Sequence, residues 1–344
     1  KLLAEGRLNA ADANLNAIPN VYYPIIKILR QENGNKREYK IDGNIQIIDG
    51  NNNAILFNKP IIEFVAKSRE LFSELKVVKG SSFSFPIIES FLNSIDVHSL
   101  SANAFDKSDI KVVVHDLNTG MTPTLGFSIK SMLGKDSTLF NAGNTTNFIY
   151  ELSKVDVKQS YIDSINSIYT EPKISCRINE IQNKGGVLNY KDISSQNLKL
   201  NLQLIDSDLP EILSYLLIYR YTKNKTSLVD LLNELNAANP LNFDLSLGHP
   251  FYEYKIKNFL TDSALGMTPA TLWTGKYDAT GGIIIVKEDG DIVCYHIYNR
   301  NEFQDYLLNN TRLEQPSTSR YGFGEIYIEN GKAFLKLNLQ IRFK

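Results

Sequence analysis

Two short apolar runs joined by a turn segment constrain the fold of this chain more than any other feature. Residues 110–117 have the sequence IKVVVHDL, and residues 125–133 have the sequence LGFSIKSML. The first run is rich in the β-branched residues that favour strands. The segment NTGMTPT between them contains Gly120 and Pro123, which are typical of turns. Together the three segments predict an antiparallel hairpin.

The rest of the chain alternates between helical and strand patterns. The first forty residues, with PIIKILRQ at 24–31, have apolar spacing that predicts helix. A hairpin is predicted at 39–58, and the last seventy residues are β-rich. Further helices are predicted at 62–78, 84–95, 159–169, 208–221, 227–236 and 301–310. This mixture predicts an α/β or α+β fold.

Length and composition set the limits on organisation. A chain of 344 residues forms one large domain or two ordinary ones, and no Pro/Ser-rich linker divides it. We therefore expect either a single unit over 1–344 or two packed lobes, an N-terminal one at 1–152 with the hairpin and a β-rich C-terminal one at 153–344. The chain contains no run of eighteen apolar residues, so no transmembrane helix is predicted.

Charge and cysteine content narrow the class of protein. Cys176 and Cys294 form no CxxC pair, which argues against a thiolate zinc site and fits the reducing cytoplasm. The formal net charge of −1 does not by itself indicate a nucleic-acid binder. A protein of this charge that binds DNA must separate its charges, with basic residues in the binding cleft.

The predicted hairpin carries residues that are suited to phosphodiester chemistry. Side chains alternate between the faces of a strand, so Asp116 shares a face with Val112 and Val114, and Ser128 shares one with Lys130. If the two faces coincide, Asp116, Ser128 and Lys130 converge at one end of the sheet. An aspartate followed by an S-x-K segment matches the PD-(D/E)XK nuclease pattern, with serine in the second acidic position. The alternative is that Asp116 is an ordinary aspartate at a strand end and that Lys130 is a solvated lysine on an edge hairpin.

This pattern predicts a divalent metal site. Mg²⁺ prefers oxygen ligands, which the Asp116 carboxylate and the main-chain oxygen of Ile129 provide. Lys130 would orient or deprotonate the attacking water and offset phosphate charge. Serine at 128 removes one anionic ligand. One of three acids on the preceding helix could replace this ligand: Glu63, Glu70 and Glu74. The alternative is that all three form a solvated helix face.

Three longer segments resemble HpaII-type restriction endonucleases. They are EGRLNAADANLN at 5–16, GFSIKSMLGKDSTLFNAGNTTNFIYEL at 126–152 and the stretch from Trp273 to Arg320. The resemblance implies a PD-(D/E)XK core, with a mixed central sheet flanked by helices and additional β-rich C-terminal elements. It also implies Mg²⁺-dependent cleavage of double-stranded DNA at CCGG, with Asp116, Ser128 and Lys130 on the catalytic hairpin. Relatives of this type also have an acidic helix ahead of the residues that correspond to KLLAEGRL.

Polar segments that follow the hairpin are candidates for contact with DNA. The segment STLFNAGNTTNF at 137–148 is rich in amides and hydroxyls, which contact phosphates and base edges in DNA interfaces. A loop rich in serine and threonine contains Arg320, and arginine is the commonest specific contact to guanine. The alternative is a polar surface loop with helix caps. The candidate residues are Asn141, Asn144, Thr145, Asn147 and Arg320.

Other readings remain open at this point. Asp278 and Lys287 form a rival catalytic segment, although no apolar strand precedes Asp278. His296 is expected to be a buried or half-buried structural histidine.

Two other functions are considered beside the nuclease. The second hypothesis is a DNA-binding protein of the same fold without cleavage activity, and the third is an unrelated α/β protein with a chance hairpin. A palindromic target fits a homodimer, or a monomer that nicks each strand in turn.

Overall fold

A computed structural model describes residues 1–78, 83–98, 108–117, 119–134 and 136–344. The strands are β1 (Arg7–Ala11), β2 (Ala17–Glu32), β3 (Asn35–Asp42), β4 (Asn44–Asp49), β5 (Ile55–Lys59), β6 (Ile110–Val114), β7 (Thr124–Ser131), β8 (Thr138–Phe140), β9 (Asn147–Ser153), β10 (Val187–Ile193), β11 (Gly282–Val286), β12 (Ile292–His296), β13 (Thr311–Leu313), β14 (Ile326–Glu329), β15 (Lys332–Asn338) and β16 (Ile341–Phe343). The helices are α1 (Leu2–Glu5), α2 (Ile61–Val77), α3 (Pro86–Asn93), α4 (Gln159–Asn166), α5 (Lys173–Asn183), α6 (Gln196–Ile205), α7 (Leu209–Thr222), α8 (Leu228–Ala238), α9 (Phe251–Leu265) and α10 (Arg300–Asn309). The predicted mixed α/β content is confirmed.

The chain forms two compact units. The first unit contains Lys1–Ser137, Ala264–Gly266 and Tyr277–Tyr306. The second contains Thr138–Ser263, Met267–Lys276 and Leu307–Lys344. These bounds differ from a single division at residue 152, because β11 and β12, late in the chain, pair with strands of the N-terminal part.

The first unit is built on a sheet that closes on itself. Its strand order is β1-β12-β11-β7-β6-β2-β3-β4-β5, and β1 also pairs with β2. Six strands therefore form a barrel-like ring, from which β3, β4 and β5 extend. The ring is mixed, because β7 is antiparallel to β6 but parallel to β11. The predicted hairpin is confirmed as β6 and β7, and it lies inside this mixed sheet.

The helical structure predicted for the first forty residues is wrong except at α1, because they form β1, β2 and most of β3. The segment 24–31 belongs to β2. Its isoleucines are β-branched and fit a pleated surface better than a helix. A register shift between Ile25 and Lys27 interrupts the alternation of side chains along β2. Ile25 and Ile28 are therefore both buried although they are three positions apart. This spacing imitates that of a helix.

The core of the first unit lies against one face of the hairpin. Val112 and Val114 of β6 and Phe127 of β7 belong to one buried cluster with residues of β2, β11 and β12. By alternation, Ser128 and Lys130 lie on the opposite face of β7. The hairpin is therefore fixed by its apolar face, and its other face carries the polar residues of the candidate site.

The second unit contains two smaller sheets and most of the helices. Strands β10-β9-β15-β14 form an antiparallel sheet, and β13-β16-β8 form another. The helices predicted at 159–169, 208–221 and 227–236 are confirmed as α4, α7 and α8. Among the residues that the structure describes, no helix has the length and apolar character needed to cross a membrane.

Candidate functional site

The register of the hairpin places an aspartate directly across from the S-x-K segment. Ile110 pairs with Phe127 and Val113 with Thr124, and continuing this register sets Asp109 opposite Ser128. Oδ2 of Asp109 accepts hydrogen bonds from the Ser128 hydroxyl at 3.1 Å and from the Ile129 N–H at 2.6 Å. Asp109, which precedes β6, therefore contacts the S-x-K segment, whereas Asp116 follows β6.

The predicted convergence of Asp116 with Ser128 and Lys130 is wrong in this structure. The Asp116 N–H donates to the Met121 carbonyl at 2.9 Å, so Asp116 lies at the turn end of the hairpin. Seven residue steps separate Met121 from Ser128, which is on the order of 20 Å of extended chain at about 3.3 Å per residue. Asp116 also continues the face of Val112 and Val114, which is opposite to that of Ser128.

Asp116 is instead buried beside an aromatic cluster whose outer member, Tyr298, is exposed. Its Oδ2 accepts a hydrogen bond from the Tyr298 hydroxyl at 2.9 Å, which raises the pKa of Tyr298. His296 is buried and stacks on Tyr23 with ring centroids 4.6 Å apart. Burial lowers the pKa of His296 to about 4, although Asp116 opposes this change. The histidine is therefore neutral at physiological pH, and the expectation of a buried structural histidine is confirmed.

Lys130 lies within electrostatic range of the Asp109 carboxylate. Burial lowers the pKa of Lys130, and the nearby Asp109 carboxylate acts in the opposite direction. Lys130 therefore loses its proton more readily than an exposed lysine. Ser128 is buried, whereas the side chain of Ile129 is 37% exposed. The S-x-K segment thus has one buried hydroxyl and one lysine in a partly desolvated setting, both close to Asp109.

The carboxylates of the described residues form no ready-made metal cluster. No group of three or more His, Cys, Asp or Glu side chains suited to a metal occurs within the described part of the chain. Glu63 and Glu70, two of the acids considered as replacements for the missing ligand, pair with lysines on or beside α2. Neither these acids nor Glu74 joins Asp109 in such a group.

The rival segment around Asp278 packs against the same hairpin. A Cβ atom on Gly126 would lie 2.6 Å from the Asp278 carbonyl oxygen, so only glycine fits there. The Gly281 N–H donates to the Gly126 carbonyl at 2.7 Å, and the Gly126 N–H donates to Thr280 Oγ1 at 3.2 Å. Gly126 is two residues before Ser128. The backbone of the rival segment is thus part of the wall beside the S-x-K segment.

The five candidate DNA contacts all line two polar cavities of the second unit. Asn141 and Arg320 line a cavity of about 520 Å³, and the other three candidates line one of about 460 Å³. Tyr321 lines both cavities. The first is also lined by two arginines, two glutamines and one glutamate, which pairs with Arg312: Arg312, Gln315, Gln340, Arg342 and Glu314. The second is also lined by Ser194, Ser195 and Lys336.

Asn147 must be removed from the candidates for direct contact. It is buried, and its Nδ2 donates to the Tyr321 carbonyl at 2.6 Å. Its Oδ1 accepts from Asn338 Nδ2 at 2.7 Å. The side chain is therefore occupied inside the protein. Asn141, Asn144 and Arg320 are exposed and Thr145 is partly exposed, so these four remain candidates.

Comparison with known proteins assigns the family. The model of the HpaII restriction endonuclease family matches residues 1–343. This chain belongs to the HpaII restriction endonuclease family. The type II restriction enzyme HpaII of Haemophilus parainfluenzae is 45% identical over 345 residues, which cover 100% of this chain and 94% of that protein. Membership makes this chain a type II, site-specific endonuclease that acts on DNA. No solved structure matches.

Sequence reasoning found the S-x-K segment but missed its aspartate partner. The signal was present, because Asp109 directly precedes the apolar run of β6. The aspartate after the strand was chosen because it shares a face with two valines. Alternation fixes the face of each residue, but only the pairing register fixes its cross-strand partner.

Proposed function

We propose that this member of the HpaII family hydrolyses both strands of DNA at CCGG with Mg²⁺, using Asp109, Ser128 and Lys130. The observation that carries the proposal is the Asp109 carboxylate held against the S-x-K segment of β7. The resemblance to HpaII-type enzymes supports CCGG as the target. A PD-(D/E)XK core is the proposed fold, and it is supported by the position of β7 between an antiparallel and a parallel partner.

The residues around Asp109 fit a magnesium ion. The available donors are the Asp109 carboxylate, the Ser128 hydroxyl and the main-chain oxygen of Ile129, which are all oxygens. Oδ1 of Asp109 accepts no hydrogen bond from the described residues. Mg²⁺ keeps several waters and often takes only one or two carboxylates together with substrate phosphates, so one aspartate suffices. When bound, Mg²⁺ would polarise the phosphate and lower the pKa of a water ligand.

Lys130 carries the remaining chemistry in this proposal. Its lowered pKa and its position beside Asp109 suit it to hold the attacking water and to accept a proton from it. In its protonated form it offsets the negative charge that develops on the phosphate. Ser128 holds Asp109 in place through its hydroxyl, which explains how serine is tolerated in a position where the pattern has an acid.

The two polar cavities of the second unit are the proposed DNA-reading surface. Arg320 is exposed in the larger cavity and is suited to bind the O6 and N7 acceptors of a guanine. Each CCGG half-site contains two guanines. Asn141 lines the same cavity and offers an amide to base edges. Asn144 and Thr145 line the smaller cavity with Lys336, and these groups are typical of phosphate contacts.

The proposed location of the protein is the cytoplasm, and its proposed assembly is a homodimer. Both cysteines are free, which fits action in the reducing cytoplasm. A palindromic target fits a two-fold homodimer, in which each copy reads one half-site. Gel filtration of the protein on a CCGG duplex distinguishes a dimer on one duplex from a monomer that nicks each strand in turn.

Digestion of plasmid DNA with and without Mg²⁺, followed by sequencing of the fragment ends, tests the proposed function. We expect discrete ends at CCGG that require Mg²⁺. Ends at another fixed sequence would contradict the target but not the chemistry. Specific binding of a CCGG duplex without any cleavage product would contradict the chemistry and identify a binding protein of the same fold.

A further inference from the structure

A buried polar cluster of the second unit has no part in the proposed cleavage chemistry. Its members are Thr146, Asn147 and Asn338, which are 0%, 3% and 1% exposed. Burying uncharged polar groups is unfavourable unless they are hydrogen-bonded, and here all three are. The cluster joins the start of β9 to the end of β15, so it holds in place the segments that emerge from these strands.

Asn338 is the centre of the cluster. Its Nδ2 donates to the Gly143 carbonyl at 2.8 Å and to Asn147 Oδ1 at 2.7 Å. Its Oδ1 accepts from Thr146 Oγ1 at 3.2 Å. Every one of these partners lies in the loop between β8 and β9 or at the first residue of β9. A single side chain therefore fixes the loop that carries Asn141, Asn144 and Thr145.

Asn147 extends the cluster to a second loop. Its Nδ2 donates to the Tyr321 carbonyl at 2.6 Å. Tyr321 has a φ of +65°, a left-handed backbone conformation that is unfavourable for a tyrosine. Its neighbour Arg320 closes a turn through an N–H bond to the Ser317 carbonyl at 3.0 Å. The cluster thus ties the turn that carries Arg320 to the loop that carries Asn144 and Thr145.

We infer that Asn338 is a positioning residue for sequence recognition, which sets the distance between the two loops that read the DNA. This inference rests on the proposed function of the two cavities and deepens it. Hydrogen-bond readout of base edges requires side chains held within about 0.5 Å of their productive positions. Contacts to phosphates tolerate more movement, because they depend mainly on charge. Loss of Asn338 therefore reduces discrimination between sequences more than it reduces affinity for DNA in general.

The test compares Asn338→Ala with a control of the same kind. Asn201 is also 1% exposed and also forms three hydrogen bonds, to the carbonyls of Thr268 and Thr271 and from the Trp273 N–H. Asn201→Ala therefore removes an equally buried amide of the second unit, but this amide lies on α6 and holds the loop at 268–273, which lines neither cavity. Asn147→Ala is a milder second variant, because it cuts the link to Tyr321 and leaves Asn338 bonded to Gly143 and Thr146.

Each variant is assayed for thermal stability and for cleavage of duplexes containing CCGG or a site with one base pair changed. We expect Asn338→Ala and Asn147→Ala to lower the preference for CCGG by about ten- to a hundredfold, the range spanned by a good base contact. We expect Asn201→Ala to lower the melting temperature similarly but to keep the wild-type preference. If all three variants lose stability alike and keep the preference, Asn338 has a structural role only and the inference is overturned.

The behaviour of the wild-type protein distinguishes failure of this inference from failure of the proposed function. A wild-type protein that prefers CCGG upholds the proposed target, and the variants then decide the role of Asn338. A wild-type protein that cuts or binds every duplex equally overturns the proposed target, and the inference falls with it. Binding of both duplexes without Mg²⁺ gives a second readout, in which we expect specific affinity to fall and nonspecific affinity to stay within a few-fold of wild type.

Discussion

Lys130→Ala is expected to lower the single-turnover rate of DNA cleavage by about a thousandfold, because it removes the group proposed to hold the water and to offset phosphate charge. Affinity for a CCGG duplex, measured without Mg²⁺, is expected to stay within a few-fold of wild type. The proposed contacts to bases come from the second unit, which this substitution does not alter. Quenched-flow or manual single-turnover assays with enzyme in excess measure the rate, and a filter-binding titration measures the affinity.

Lys287→Ala is the matched control for Lys130→Ala. Lys287 follows β11, the strand that pairs in parallel with β7, and its ammonium lies 3.3 Å from the Asp289 carboxylate in an ion pair whose lysine is half-buried and whose aspartate is exposed. Such a pair contributes about 0–1 kcal/mol to stability, so the variant is expected to fold and to cleave at the wild-type rate. Loss of cleavage in Lys287→Ala together with normal cleavage in Lys130→Ala would show that the rival segment carries the chemistry.

Arg177→Met is expected to be the most destabilising single change in the second unit. The guanidinium is buried and donates to the carbonyls of Gly324, Ile168 and Asn166. Methionine fills much of the same space but leaves the buried Gly324 carbonyl and the part-buried carbonyls of Ile168 and Asn166 without this donor. Each buried group left unsatisfied costs about 1–3 kcal/mol, so we expect a loss of about 3–5 kcal/mol in the free energy of unfolding. Urea denaturation followed by circular dichroism measures this loss.

The control for Arg177→Met is Lys184→Met, which removes a charge near the end of the same helix. Lys184 pairs with Glu180 at 3.1 Å, and both side chains are about 40% exposed. Its loss is expected to cost about 0–1 kcal/mol. If Arg177→Met unfolds at the same urea concentration as Lys184→Met, the three carbonyls find other donors and the guanidinium is not what holds them.

Local pattern predicted most elements of this fold. The hairpin of β6 and β7 was predicted from β-branched residues and a Gly/Pro turn, and α2, α7 and α8 from apolar spacing. The segment 24–31 was mistaken for a helix because the bulge in β2 places Ile25 and Ile28 on one side at helical spacing. The closure of the barrel was not predictable, because it depends on β12 pairing with β1, nearly three hundred residues earlier.

The candidate site was predicted in part, and the missing part depends on register. Lys130 and Ser128 were identified from the S-x-K spacing alone. Asp109 was missed because its pairing with Ser128 depends on the register of β6 against β7, which the length of the turn sets. A shift of that register by one residue would turn every side chain of the strand to the other face. The polar residues of the second unit were chosen from two segments about 170 residues apart. Their assembly around Tyr321 depends on the buried amides of Asn147 and Asn338, which no local pattern reveals.

The proposed mechanism depends most on Asp109, rather than Asp116, being the acid of the cleavage site. Single-turnover cleavage of a CCGG duplex by Asp109→Asn and by Asp116→Asn tests this directly, since each change keeps the shape of the side chain, removes its charge and replaces one carboxylate oxygen by an NH2 group. We predict that Asp109→Asn lowers the rate by about a thousandfold, because the proposed metal loses its carboxylate ligand. Asp116→Asn keeps an oxygen for the Tyr298 hydroxyl, and we predict a rate within a few-fold of wild type. The opposite pattern, with Asp109→Asn active and Asp116→Asn inactive, would contradict the account.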